Sequence, residues 1–206
     1  MGERFCDETE WGFGWVLDEY LWRCSHALRA EGSVWVFDPV DAPGVEERIR
    51  ELGEPAGVIQ LLDRHRRDSA ALAARLGVPH YETPFQGVPG APFDPVPIAR
   101  HRLWREVALW WQEERVLLCG DALGTVGYFC SSGEKLGVHP LLRLVPPRAL
   151  ARFAPQHVLC GHGEGVHGDE AATALEEALA TARRRLLAVA LNLVRRPPAI
   201  PVRRRG

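Results

Sequence analysis

The chain has 206 residues and a formal net charge of −2, and this length predicts a single domain. A hydrophobic fraction of 46% and a charged fraction of 25% are usual for globular proteins and exclude a disordered or collagen-like chain. The near-neutral charge argues against nucleic acid and membrane surfaces as partners. We predict one domain over residues 1–196 and a basic tail over residues 197–206, which ends in three arginines before Gly206.

Five short apolar runs, rich in β-branched and aromatic residues, predict strands. In chain order they are residues 33–37, 57–62, 107–111, 116–119 and 157–160. Helix-period segments with capping residues at their starts and Gly or Pro at their ends predict helices. These segments are residues 44–52, 68–76 and 147–153. The alternation indicates a mixed α/β fold.

Three further segments complete this outline. Residues 87–97 hold four prolines and two glycines, which predicts a loop. The polar residues 112–115 join two strand-like runs, so an antiparallel hairpin is expected there. Residues 169–195 are mostly helix formers with apolar side chains at three- and four-residue spacing, which predicts one long C-terminal helix.

The five cysteines are odd in number, widely spaced and free of any C-x-x-C pair, so neither a disulfide framework nor a zinc ribbon is predicted. Cys119 and Cys160 lie in apolar runs, where a thiol acts as a small buried hydrophobe. The first residues contain no charged segment leading into an apolar run, and we expect no secretory signal peptide. A cytoplasmic protein is the expectation.

Polar residues follow several of the predicted strands. They are Asp38, the segment Asp63-Arg64-His65-Arg66-Arg67-Asp68, the region around His101, Gly120-Asp121-Ala122 and Gly161-His162-Gly163. Functional side chains in α/β proteins cluster in the loops beyond strand ends. We therefore expect these residues to line one site.

In this order the motifs resemble those of the metallo-β-lactamase-like hydrolase superfamily, over roughly residues 25–167. The resemblance implies a four-layer αββα sandwich, in which one or two divalent metals at the strand ends activate water for hydrolysis. It assigns Asp38 to an aspartate that supports the metal site from behind. It also assigns Asp121 to the aspartate that bridges two metals, and His162 to a histidine that binds the second.

The defining H-x-H-x-D-H motif of that family is degraded here, and two registers fit the sequence. The four ligand positions hold Asp63, His65, Arg67 and Asp68 in the first register, and Arg64, Arg66, Asp68 and Ser69 in the second. We favour the second, because Asp68 then begins the helix as its family counterpart does. The third family motif is a Gly-His-Thr-Pro-Gly turn. Matching its strand places Arg102 at the histidine position, with His101 one residue out of register and Trp104 beside the pocket.

The arginines determine the functional prediction. A divalent cation needs neutral or anionic donors, whereas guanidinium has no free lone pair and keeps its charge. We therefore expect arginine to pair with Asp121 and no cofactor to be bound. The prediction is an inactive relative of the metallo-hydrolases that binds a small anionic molecule. The residues expected to bind this anion are Arg64, Arg66, Arg67, Arg102, His101 and Trp104.

Two alternatives stay open. In one, the chain hydrolyses an ester, thioester or amide with a single zinc, iron or manganese ion. The metal ligands are then His65, Asp68, Asp121 and His162, and the catalytic residues are Asp121, as the general base, and Asp38 behind the site. In the other, exposed aromatic side chains such as Trp11 and Trp15 form a homodimer interface.

Overall fold

The computed structural model describes residues 2–18 and 21–195, so the predicted basic tail lies outside the described residues. Strands β1–β13 are Glu3–Thr9, Gly12–Leu17, Cys24–Ala30, Ser33–Phe37, Glu54–Gln60, His80–Glu82, Asp94–His101, Trp104–Trp111, Val116–Cys119, Leu123–Gly124, Gly137–Val138, His157–Cys160 and Val166–His167. Helices α1–α4 are Val45–Leu52, Ser69–Leu76, Asp169–Thr181 and Leu186–Arg195. Short 3₁₀ helices occupy Pro140–Leu142 and Arg148–Arg152.

Two large sheets form the centre of the molecule. Strands β1–β6 make a six-stranded sheet in sequence order, and a five-stranded sheet has the order β13-β12-β9-β8-β7. The pairs β4–β5 and β9–β12 are parallel. Parallel neighbours place their carboxyl ends at the same edge of a sheet, and ligand sites form at such edges.

Helices cover the outer face of each sheet. Ile49 of α1 and Leu72 of α2 pack on the first sheet, while Leu175 of α3 packs on the second. The inner faces meet through residues such as Phe37 and Leu109. Each helix buries an apolar stripe and each sheet buries two faces, so the predicted four-layer αββα sandwich is confirmed.

The strongest strand and helix predictions are confirmed. Strands β4, β9 and β12 have the predicted bounds, and β8 and β9 form the predicted antiparallel hairpin. Helix α2 begins after Asp68 and ends at Gly77, whose φ of 74° lies in the left-handed region that terminates many helices. Residues 147–153 contain a 3₁₀ helix instead of an α-helix.

The predicted loop over residues 87–97 is wrong at its end, because β7 begins at Asp94. This strand carries Pro95 and Pro97 and pairs antiparallel with β8. Proline lacks the N–H that a second neighbour would need, so it is tolerated on an edge strand. Strand β7 is at the edge of its sheet, which explains how the prolines are accommodated.

The predicted C-terminal helix is two helices, α3 and α4, separated at residues 182–185. Arg143 donates a hydrogen bond to the Ala182 carbonyl at 3.4 Å, and Arg183 donates one to the Leu144 carbonyl at 2.9 Å. These contacts with the 3₁₀ region accompany the break, so tertiary structure overrides local helix propensity here.

The N-terminal strands β1–β3 lie outside the strand predictions, and they change the expected role of two tryptophans. Trp15 is 1% exposed and donates a hydrogen bond to the Val40 carbonyl at 2.8 Å. Trp11 packs edge-on against Trp111 within the same chain. Trp15 is therefore a core residue and cannot form a dimer interface, which corrects the prediction for that residue.

The cysteines agree with the sequence prediction. All five are buried and none forms a disulfide, and Cys119 and Cys160 are 1% and 0% exposed. Among the described helices, none is long and apolar enough to cross a membrane.

Candidate metal centre

Four strand ends meet at one edge of the sandwich and carry polar side chains. Asp38 follows β4, His65 lies beyond β5, Asp121 follows β9 and His162 follows β12. The parallel pairs β4–β5 and β9–β12 bring these ends together from the two sheets. The two sheets pack through their apolar inner faces. This packing brings the polar side chains at the strand ends of both sheets next to one another.

Three of these side chains converge on one point. His65 Nε2 lies 2.9 Å from Asp121 Oδ1, and His162 Nε2 lies 3.2 Å from the same oxygen. The ligand atoms of all three residues lie within 4.8 Å of one another. Two imidazole nitrogens and one carboxylate oxygen form a donor set used by zinc, iron and manganese.

Each histidine is held through its other ring nitrogen. His65 Nδ1 donates to Asp38 Oδ2 at 2.8 Å, and His162 Nδ1 donates to the Leu21 carbonyl at 2.9 Å. Asp38 is fixed in turn, since its Oδ1 accepts a hydrogen bond from the Leu61 amide at 2.8 Å. Metal-binding histidines use such outer contacts to fix the tautomer that leaves Nε2 free to bind.

Asp121 Oδ1 provides the test of whether a cation fits. This oxygen is buried and has no hydrogen-bond partner among the described residues, because the two close imidazole nitrogens do not have hydrogen-bond geometry. A buried carboxylate oxygen without a donor is costly. A divalent ion between this oxygen and the two Nε2 atoms would satisfy it, so the residues present fit one metal ion.

Burial and nearby charges shift the pKa values of His65, Asp121 and His162. Burial and Arg67 lower the pKa of His65, but Asp121 and Asp38 outweigh them and raise it to about 9. Burial raises the pKa of Asp121, while the positive charge of His65 holds it well below its usual range. Burial lowers the pKa of His162 despite its contact with Asp121. The carboxylate is therefore ionised at neutral pH.

Arg67 lies beside the centre and donates three hydrogen bonds to backbone carbonyls. Its Nη1 contacts Cys24 O at 2.6 Å and Asp38 O at 2.7 Å, and its Nη2 contacts Gly161 O at 2.7 Å. Arg67 thus ties the end of β4 to the start of β3 and to the loop after β12. The Arg67 guanidinium has no lone pair to offer a metal ion, and its positive charge would repel a second cation nearby.

Three residues that frame the centre have left-handed backbone conformations. Leu21, Asp38 and Arg67 have φ values of 61°, 44° and 41°. Each such residue costs of the order of 1 kcal/mol and persists only where its surroundings fix it. Here the fixing contacts are the Leu21 carbonyl on His162, the Asp38 carboxylate on His65 and the three Arg67 hydrogen bonds.

Of the four positions of the first register, the structure places His65 in the ligand cluster and turns Arg67 towards the centre, while Asp68, a ligand position in both registers, stays outside the cluster. This corrects the register that we favoured. Arg66 is exposed, and Asp68 accepts a hydrogen bond from the Asp41 amide at 2.8 Å instead of joining the metal-ligand cluster. The reason is local: Asp68 precedes α2 and faces the loop after β4, while the Arg67 side chain turns inward to reach three carbonyls.

The residues predicted to bind an anion separate into two groups. Arg64 Nη2 lies 3.8 Å from Asp121 Oδ2, and the Arg64 guanidinium stacks on Trp104 at 4.2 Å. Arg102 is exposed in the turn between β7 and β8, and His101 is exposed at the end of β7. Together with Arg66, they make no direct polar contact with Asp121 among the described residues. Of this set, Arg64, Arg67 and Trp104 border the centre.

Glu106 is the main residue near the centre that the sequence analysis missed. It is 0% exposed, and its carboxylate accepts hydrogen bonds from the Ala122 amide and from Trp104 Nε1, both at 2.7 Å. Burial, followed by the Asp121 charge, raises the pKa of Glu106 to about 7. Glu106, not Arg102, faces the centre from β8. The signal in the sequence was a carboxylate directly before the apolar run of residues 107–111.

No family model matches this sequence, and no curated protein matches it. Solved structures do match. A metallo-β-lactamase from Hirschia baltica is 10% identical with a TM-score of 0.59, covering 88% of this chain and 98% of that one. A metallo-β-lactamase from Pontibacter korlensis is 11% identical with a TM-score of 0.57, and coverage is 87% and 99%. DIM-1 metallo-β-lactamase is 13% identical with a TM-score of 0.56, and coverage is 89% and 98%. The chain has the metallo-β-lactamase fold, in a sequence that diverges strongly from these proteins.

Proposed function

We propose that this chain is a mononuclear metal-dependent hydrolase, with His65, Asp121 and His162 as the ligands of one divalent ion. The observation that carries the proposal is the orientation of the two imidazole rings. Each is held at Nδ1 by an acceptor, so that both Nε2 atoms face the same buried carboxylate oxygen. Such second contacts are typical of metal-binding histidines.

The charges favour one ion over two. In the first register, Arg67 takes the place of the motif's aspartate, and its guanidinium lies close beside the centre. An idealised Cβ on Gly161 would be 2.7 Å from His65 Cε1 and 3.3 Å from Arg67 Nη2. A second divalent cation there would meet a fixed positive charge and would lack a carboxylate ligand.

The chain's own residues position the reaction. A bound divalent ion would supply Lewis acidity, which polarises a carbonyl and makes water more acidic. Asp38 orients His65, and Glu106 fixes the turn that follows Asp121 by binding the Ala122 amide. Asp121 Oδ2 remains for proton transfer.

Arg64 suggests the substrate class. Its side chain is 46% exposed, lies 3.8 Å from Asp121 Oδ2 and is held over the Trp104 ring. A guanidinium in this position can pair with a substrate carboxylate or phosphate in two-point geometry. We propose an ester, thioester or amide that carries a negative charge close to the bond that is hydrolysed.

The test compares matched substrates on metal-loaded and chelated protein. Aryl ester, thioester and amide substrates, each with and without a carboxylate, are assayed after loading with zinc, manganese or ferrous iron. His162→Ala should abolish the metal-dependent rate, and Arg64→Ala should remove the preference for the carboxylate. His101→Ala is the control, because His101 is exposed at the end of β7. A metal-dependent rate that survives His162→Ala would contradict the proposal.

A second candidate is an inactive anion-binding protein without a metal, and one observation favours it. His65 lies between Asp38 and Asp121, and these two carboxylates raise its pKa to about 9. The protonated imidazole then offsets the negative charge of the carboxylates without a metal ion. In that case, chelated protein should bind small carboxylates or phosphates with a change in tryptophan fluorescence that Arg64→Ala removes. Under this alternative, no metal-dependent hydrolysis should be detected with any substrate.

A further inference from the structure

We propose a second metal site, built from Cys6, Asp7 and Cys24 with His26 as the fourth donor, which holds a structural zinc ion. The four side chains lie on β1 and β3 of the first sheet. Their exposed fractions are small: Cys6 is 7%, Cys24 0% and His26 4% exposed, and the Asp7 side chain is 3% exposed. The inference does not rest on the proposed hydrolase function, because none of these residues is a ligand of the candidate metal centre.

The spacing of the donor atoms is that of a tetrahedral zinc site. Zinc bonds of about 2.3 Å to sulfur and about 2.0 Å to oxygen put two sulfurs about 3.8 Å apart and a sulfur and an oxygen about 3.5 Å apart. The two Sγ atoms of Cys6 and Cys24 are 3.8 Å apart. Asp7 Oδ2 lies 3.5 Å from Cys6 Sγ and 3.9 Å from Cys24 Sγ. These three atoms outline one face of a tetrahedron.

In the proposed site, His26 would be the fourth donor, and it approaches the other three from the side of Cys24 and Asp7. Its Nε2 lies 3.5 Å from Cys24 Sγ and 3.1 Å from Asp7 Oδ2. In a tetrahedral site, a nitrogen is expected about 3.5 Å from a sulfur ligand and about 3.3 Å from an oxygen ligand. Two thiols, one imidazole and one carboxylate form a soft donor set that suits zinc.

Two local features of the backbone create this cluster. Adjacent residues on a regular strand point to opposite faces, but β1 has a bulge between Cys6 and Thr9, and Asp7 has a φ of 50°. The Asp7 carboxylate therefore reaches the same side as Cys6 Sγ. On β2, Gly14 pairs with both Cys6 and His26, and an idealised Cβ there would lie 3.0 Å from Asp7 Oδ2 and 3.1 Å from Cys6 Sγ. Glycine at this position leaves the space.

A disulfide does not account for the two cysteines. Cys6 and Cys24 lie on strands separated by β2, so two ladder spacings put their backbones roughly 10 Å apart. Disulfides need Cα atoms within about 7 Å. An ion between the thiolates joins them without moving either strand.

The cluster also has an outer shell, as metal sites do. Asp7 Oδ1, the oxygen turned away from the thiols, accepts hydrogen bonds from the Gly165 amide at 2.9 Å and from His167 Nε2 at 2.8 Å. Gly165 precedes β13 and His167 lies on it, in the second sheet. The zinc would therefore fasten the first sheet to the loop that carries His162.

Cobalt spectroscopy tests this site directly. Chelated full-length protein is titrated with Co²⁺ under reducing conditions. A thiolate-to-cobalt charge-transfer band in the near ultraviolet should develop with the intense visible bands of tetrahedral cobalt, and its final intensity should correspond to one thiolate-bound ion per chain. The candidate metal centre has no sulfur ligand, so it cannot produce the charge-transfer band. No band in natively folded wild-type protein would overturn the proposal.

Variants assign the ligands. Cys24→Ser and Cys6→Ser should each lose the charge-transfer band and one equivalent of zinc, whereas Cys130→Ser should keep both, since Cys130 is buried elsewhere and donates to the Gly124 carbonyl. His162→Ala should keep the band, which separates this proposal from the hydrolase proposal. Near-ultraviolet circular dichroism reports whether each variant is folded. A band that persists in folded Cys24→Ser protein would contradict the assignment.

Discussion

His65 Nδ1 lies 2.8 Å from Asp38 Oδ2, and this contact turns the opposite ring nitrogen towards Asp121. Asp38 is itself held by the Leu61 amide, so the chain of contacts runs from the backbone directly after β5 to the carboxylate and then to the imidazole. Without it, the ring could rotate and its tautomer would no longer be fixed. The orientation of His65, a proposed metal ligand, therefore depends on a residue outside the proposed ligand set.

The Asp38→Asn variant measures this dependence. We expect its affinity for zinc at the candidate metal centre to fall about 10- to 100-fold, the usual effect of losing an outer-shell partner. Competition with a chromogenic chelator provides the measurement. Asp94→Asn is the matched control, because Asp94 is exposed at the start of β7. Equal affinity in Asp38→Asn and wild-type protein would show that the contact is not used.

Gly161→Ala tests the close packing beneath the centre. Its Cβ would lie 2.7 Å from His65 Cε1 and 2.8 Å from the Gly120 carbonyl oxygen, shorter than side chains tolerate. We expect lower metal occupancy and a lower unfolding midpoint. Gly127→Ala is the control, since a Cβ there meets nothing within 4 Å. The prediction fails if both variants bind metal as wild-type protein does.

Arg67→Met should destabilise the fold. Three backbone carbonyls from different segments would lose a charged donor, and the free energy of unfolding should fall by roughly 3 kcal/mol or more. Arg66→Met, an exposed change in the same segment, should shift it by less than about 0.5 kcal/mol. Urea unfolding compares the two. Similar small shifts would mean that Arg67 does not hold the strand ends together.

Stability should fall in acid through Glu134, which forms a buried ion pair with Arg143 at 2.9 Å. Burial raises the pKa of Glu134, but hydrogen bonds from Arg143 and Ser131 outweigh it and hold the pKa below its usual value. A carboxylate with a lowered folded-state pKa stabilises the fold above its unfolded pKa of about 4.3 and loses this contribution as the pH falls below it.

The Glu134→Gln variant isolates that contribution. At neutral pH it should cost about 3–5 kcal/mol, because Arg143 is left buried without its partner. The difference from wild type should shrink as the pH falls below about 4, where Glu134 itself becomes protonated. Glu176→Gln, on the exposed face of α3, should show neither effect. A difference that stays constant between pH 7 and pH 3 would contradict the account.

The sequence predicted the fold, and its four candidate metal ligands included all three residues of the cluster, for a physical reason. Asp121 and His162 each follow a short apolar strand within a Gly-flanked turn, and such turns are local features. Strands β4, β9 and β12 are also encoded by adjacent residues, since each is a nearly continuous run of buried residues. Periodicity and composition are enough to locate such elements.

The environment of the centre could not be predicted in the same way. Arg67 points inward because three carbonyls from distant segments accept its hydrogen bonds. Glu106 is buried because Ala122 and Trp104 both donate to it. The second proposed metal site, at Cys6, Asp7, Cys24 and His26, depends on a bulge at Asp7 and a glycine on the neighbouring strand. These are tertiary relationships, and no spacing along the chain encodes them.

The most direct test of the central claim is the metal content of wild-type and His162→Ala protein, both purified without chelator and compared by elemental mass spectrometry. If one ion lies between His65, Asp121 and His162, the variant should contain one equivalent less of zinc, iron or manganese than wild type. An ion bound at Cys6, Asp7, Cys24 and His26 would be present in equal amount in both proteins, so it would not contribute to the difference between them. Identical metal content in the two folded proteins would contradict a working metal centre at these residues.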